Sequence, residues 1–114
     1  MTETVDPDGI DLIAAERRRQ IADEGYTPEH DAEHGGGELA DAAVAYVGAA
    51  LGRPEAAAAS WPWGASSFWP GDNPVRMLVK AGALIAAEID RRLIQAGNPD
   101  DFRAAYRRAA ELPE

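Results

Sequence analysis

Apolar residues return at helical spacing in four stretches of this chain, and none shows the alternation of a strand. The first predicted helix covers residues 11–24. Ile10, Ile13, Ala14, Arg17 and Ile21 form one stripe there, and Asp8 or Asp11 lies near the start, where a carboxylate suits the helix dipole. Gly25 closes it, and Pro28 turns Thr27 out of helical geometry. The second helix, residues 37–51, has the cleanest period, through Leu39, Ala42, Ala43, Tyr46, Val47, Ala50 and Leu51. Gly52, Arg53 and Pro54 end it, and the alanines of residues 55–60 favour a short helix. Residues 61–74, rich in tryptophan and proline, cannot form a regular element and predict a compact loop. Asp72 or Asn73 caps the third main helix, residues 74–95, with Pro74 in its first turn. That helix is apolar on most sides from Val75 to Ala87, which predicts a central position. Gly97 ends it. Asn98 and Pro99 open a fourth helix with Phe102, Ala105, Tyr106 and Ala109 as its stripe. The expected fold is all-α: a single compact bundle of four main helices with a Trp/Pro-rich loop, residues 10–114, after a flexible lead-in over residues 1–9.

Composition narrows this picture. At 114 residues, 46% hydrophobic and 27% charged, the chain has the balance of one globular domain. The absence of cysteine removes disulfide and thiolate chemistry and suits the cytoplasm. Glu3, Asp6 and Asp8 stand where a secretion signal needs basic residues, so none is expected. Uninterrupted apolar runs such as residues 81–87 are too short to span a bilayer, so no membrane partner is expected. A net charge of −9 repels phosphate backbones and argues against nucleic acid as a partner. It leaves room for a small anion in a local basic pocket. Ala81, Gly82 and Ala83 permit close helix approach, which is compatible with a homo-oligomer.

Candidate chemistry gathers between the first two helices. Tyr26, His30, Asp31 and His34 lie in the predicted loop, and three glycines lead from it to Glu38 and Asp41. Two imidazoles beside a carboxylate suit zinc. The same residues also suit a metal-free ligand site or plain helix capping. Glu16 and Gln20 form an i,i+4 pair beside the first stripe, and Arg17 lies on it, so its head group needs a partner at the core edge. Arg18 and Arg19 read as a solvated face. Lys80 and Glu88 interrupt the apolar third helix, and a buried charge needs a counter-charge, ligand or water. Lys80 suits a phosphate. Glu88 suits either Arg17 across the bundle or Arg92 one turn along its own helix. Trp61, Trp63 and Trp69 are either a lid on the core or a stacking platform for a base.

The ordered motifs ERRRQ, EGYTPEHD, GELA, WPW and LVKAGALIAAEIDRRL, spanning residues 16–93, resemble a family of small tailed-phage and prophage accessory proteins. The GASS stretch after WPW and the segment from Asn98 onward depart from that pattern. The resemblance implies a gene product acting in the cytoplasm of an infected bacterium. Together with the residues it leads to the expected function: a non-catalytic binder of a nucleotide-like or other phosphorylated small molecule, with no cofactor, that sequesters a host defence signal. The expected ligand contacts are Glu16, Arg17, Gln20, Tyr26, His30, Asp31, His34, Glu38, Trp61, Trp63, Trp69, Lys80 and Glu88. Glu38 and Asp41 also resemble in part the ExxD pair of MazG-type nucleotide pyrophosphatases. That likeness implies an alternative in which Glu16, Glu38, Asp41 and Glu88 hold Mg²⁺. A third class is an acidic protein–protein inhibitor of a host factor.

Overall fold

The computed structural model of the protein describes residues 5–24, 37–95 and 107. Among these the fold is all-α. Helix α1 spans Gly9–Glu24, α2 Glu38–Ala50, α3 Pro54–Ser60 and α4 Pro74–Gln95, with a 3-10 turn at Ala65–Ser67 inside the aromatic loop. The expected helix from Asn98 lies outside the described residues, apart from a helical Arg107.

Local chemistry sets the element ends. Asp8 Oδ1 accepts the Asp11 amide at 2.9 Å while Asp11 Oδ2 accepts the Asp8 amide at 3.1 Å. This reciprocal cap starts α1 at Gly9, two residues before the expected start. At the end of α2 the Gly52 amide bonds Ala49 O and the Arg53 amide bonds Gly48 O, at 3.1 and 2.9 Å. That paired closure needs a left-handed residue, and Gly52 supplies it at φ 74°. Pro54 then begins α3. Asn73 Oδ1 accepts the amides of Val75 and Arg76, so it is the cap of α4, with Pro74 behind it as expected.

The core is an alanine-rich seam between α2 and α4. Leu39, Ala42 and Ala43 pack on Ala81, Leu84 and Ala87, with Tyr46, Val47 and Trp61 against the edge. Small side chains bring the helices close. At Gly48 an added Cβ would lie 3.3 Å from Ala57 of α3. At Gly82 it would lie 2.5 Å from Ile13 Cδ1, so α1 is seated directly on α4. The small residues of α4 therefore serve contacts within the chain.

Helix α4 is central in that both α1 and α2 pack on it. It is not covered on all sides, because Val75, Leu78, Ile85 and Ile89 face solvent. Two further expectations are corrected. Ile10 is exposed in the first turn of α1, one turn before the Ile13 contact with α4, and Leu51 is exposed because α2 ends at Ala50 and Leu51 already belongs to its cap. No helix among the described residues is long and apolar enough to cross a membrane.

Candidate functional site

A small cleft of about 80 Å³ opens where α1, α2, α4 and the aromatic loop meet. Its lining combines Glu16, Arg19 and Gln20 from α1, Tyr46 from α2, Lys80 and Leu84 from α4, and Trp61 and Trp63. Each helix contributes at helical spacing: Glu16 and Gln20 are one turn apart, as are Lys80 and Leu84.

The aromatic wall is fixed from below. Trp61 meets Tyr46 edge-on at 5.7 Å and Trp63 edge-on at 5.0 Å, and Phe68 lies 4.8 Å from Trp61. Trp61 Nε1 donates to Ser67 Oγ at 2.9 Å. The one Ser67 hydroxyl proton is in turn shared between the carbonyls of Gly64 and Trp63, at 2.8 and 2.9 Å. Trp61 is thus both lid and anchor, as the plainer sequence reading holds. Trp63 keeps 43% of its surface open at the cleft. Trp69 is 81% exposed and stands outside the cleft.

The polar wall is built on Glu16, which is 3% exposed. Burial alone would raise its pKa. Hydrogen bonds from Arg19 and Arg76, with their positive charge, outweigh that and hold it at about 2. Arg19 binds both carboxylate oxygens at 2.9 and 2.8 Å, and Arg76 reaches in from α4 at 2.7 Å. Gln20 Nε2 adds a donor at 3.3 Å, which fixes the amide orientation and leaves buried Gln20 Oε1 without a hydrogen-bond donor. Lys80 Nζ sits 5.7 Å from the centre of the Tyr46 ring. Among the described residues Lys80 forms no ion pair. Behind the Glu16–Arg19 pair lies a wider, mostly apolar cleft of about 370 Å³ with Leu12, Val75, Arg76 and Val79.

The remaining expected residues form a second group toward the other end of α4. The Glu88 carboxylate accepts from Arg91 twice at 2.7 Å and from Arg92 at 2.7 Å, the latter being the i,i+4 pair of the plain reading. The Arg91 bond, followed by the Arg92 bond and both charges, overcomes burial and brings Glu88 to about 2. Arg91 is itself buried, and Glu88 and the charge of Glu38 raise its pKa. Arg17, also buried, reaches Asp90 at 3.4 Å. Glu88, Arg17 and Glu38 therefore line no part of the aromatic cleft.

Tyr26, His30, Asp31 and His34 lie outside the described residues. Among the described residues no group of three or more histidine, aspartate or glutamate side chains could hold a metal ion. The suggested set of Glu16, Glu38, Asp41 and Glu88 is not assembled there. Glu16 and Glu88 are each occupied by two arginines, and Asp41 is exposed.

Sequence reasoning missed Arg19 and Tyr46 as lining residues and Arg91 as a buried one. Spacing carried part of the signal: Arg19 is three residues after Glu16, and Arg91 is one turn beyond Ala87 on the buried side of α4.

No family model matches the chain, and no solved structure matches it. The chain is similar to the phosphoribosylformylglycinamidine synthase subunit PurL of Azorhizobium caulinodans, 36% identical over 98 residues. The match takes in 82% of this chain but spans only 13% of that enzyme's length.

Proposed function

We propose that the aromatic cleft binds a small nucleotide-like or other phosphorylated molecule and holds it without chemical change. The observation that carries this reading is Lys80, a cation with no ion-pair partner among the described residues, set beside an aromatic wall. An anionic group would neutralise it, and a planar ring has the half-open face of Trp63 to lie on. Gln20 Oε1 offers an acceptor to an N–H donor on the same ligand once the neighbouring side chains make room for it. A cleft of about 80 Å³ is smaller than the ~300–1,000 Å³ of whole-ligand pockets, so most of the molecule would lie outside, over Trp63.

The state of Glu16 favours binding over catalysis. A carboxylate held at about 2 with two arginines on its oxygens is a poor general base near neutrality. The likeness of the motifs to phage accessory proteins adds the setting: capture of a host defence signal in the cytoplasm of an infected bacterium. The similar synthase is named for a phosphoribosyl compound, which falls in the same chemical class. Its synthase activity is no part of the proposal, since the shared portion is a small fraction of that enzyme.

Native mass spectrometry of the purified chain, followed by tryptophan fluorescence titration with nucleoside mono- and triphosphates, tests the reading. Lys80→Ala is expected to weaken binding by about ten- to hundredfold, the range of a hydrogen bond to a charged group, with the helical signal unchanged. No binding across the panel by the unmodified protein would overturn it. Pyrophosphate release in the presence of Mg²⁺ would replace it with the pyrophosphatase reading.

A further inference from the structure

Four large apolar side chains form one outward face of α4. On α4, Val75, Leu78, Ile85 and Ile89 are 61%, 47%, 48% and 51% exposed. With Gly82 they step three, four, three and four residues, which keeps all five positions on one side of the helix. The place of a side chain at Gly82 is filled by Ile13 of α1, so the apolar surface continues across it.

We propose that this face binds a second copy of the chain, with the two α4 helices antiparallel about a two-fold axis near Gly82. Three observations favour a copy over an unrelated partner. The three-four step is that of a helix–helix seam, and its occupant must be a helix of matching period and length, which α4 itself is. The row is also nearly symmetric about Gly82, with Val75 and Ile89 seven residues to either side and Leu78 and Ile85 four and three. A two-fold contact requires such self-complementarity, because each side chain meets its counterpart's neighbour. Charge follows the same symmetry. Exposed Asp72 lies ten residues before Gly82, and Arg92, with 71% of its side chain open, lies ten after. Antiparallel pairing brings Arg92 of each copy toward Asp72 of the other. The four side chains expose on the order of 400 Å² of apolar surface, a fitting centre for an interface that buries about 800 Å² per partner. The net charge of −9 opposes association, so the dimer should tighten as salt is raised.

The test is the mass of the full chain by size-exclusion chromatography with light scattering, across a wide concentration range. The expected mass is twice that of the 12.2 kDa chain. Leu78→Glu and Ile85→Glu should each halve it with helicity retained, whereas Val44→Glu, an exposed site on α2, should leave it unchanged. Asp72→Arg leaves the apolar row intact and should raise the dissociation constant several-fold by opposing Arg92. A single-chain mass at every concentration overturns the proposal. So does an assembly that survives both Leu78→Glu and Ile85→Glu.

Discussion

Glu16 and Glu88 are the two buried carboxylates among the described residues, and each is kept ionised by two arginines, yet they stand on different footings. Glu88 draws both partners from its own helix, and one of them, Arg91, is only 4% exposed. Glu16 draws Arg19 from its own helix and Arg76 from α4, and these side chains are 36% and 44% open to solvent. The first network lies within one helix, with a sealed arm through Arg91 and an open one through Arg92, whereas the second joins two helices through two half-open arginines. The cost of losing a buried charge depends on where it leaves its partners, so the two sites should respond differently to the same substitution.

The largest effect is expected from Glu88→Ala. It removes two hydrogen bonds from the buried Arg91 guanidinium, together with its nearest counter-charge, at a cost of about 3 kcal/mol or more in urea unfolding. Glu16→Ala should cost less, about 1–3 kcal/mol, because water can solvate Arg19 and Arg76. The reverse order would break the comparison.

Acid should act on both sites. Each folded pKa is about 2 against an ordinary 4.5, so folding favours the ionised form. The stabilisation is full above pH 4.5 and is lost as pH falls from there toward 2. Unfolding midpoints measured across that window should fall for the unmodified chain and flatten in Glu16→Gln and Glu88→Gln. A midpoint that stays level would show that neither carboxylate is held as described. Arg92→Ala should have the smallest effect, below ~1 kcal/mol in the same urea assay, since its side chain is largely exposed and Arg91 still holds Glu88. A loss as large as that of Glu88→Ala would show that the outer arginine, and not the sealed one, secures the site.

What the sequence made legible was local. The Asn73–Pro74 start of α4, the Gly52 stop of α2 and the Leu39, Ala42 and Ala43 stripe of α2 depend on neighbours within a turn, and they appear where the spacing put them. Part of the cleft was legible too: Lys80 interrupts an apolar helix, and Glu16 with Gln20 flanks an apolar stripe. Such misfit charges must find company, and Glu16, Gln20, Lys80, Trp61 and Trp63 share one lining. The exposure of Ile10 and of one flank of α4 was not legible, because it depends on where α1 crosses α4. That crossing is set by Ile13 entering the notch at Gly82, a contact between residues far apart in the chain. For the same reason Arg19 reads as a solvated residue in sequence and lines the cleft in space.

The seat of α1 on α4 also bears on the order in which the molecule assembles. Helices α2, α3 and α4 form one unit, in which α2 packs on both α3 and α4. Helix α1 reaches α4 across the whole of that unit: Arg17 and Asp90 are 73 positions apart. Among the described helices α1 rests on that unit mainly through α4, so it is the helix most readily released and the last expected to dock. Glu16, Arg19 and Gln20 travel with that helix, so the cleft exists only once it has docked. A molecule bound there would act as a latch on α1, slowing amide exchange in the first helix more than in the rest of the chain.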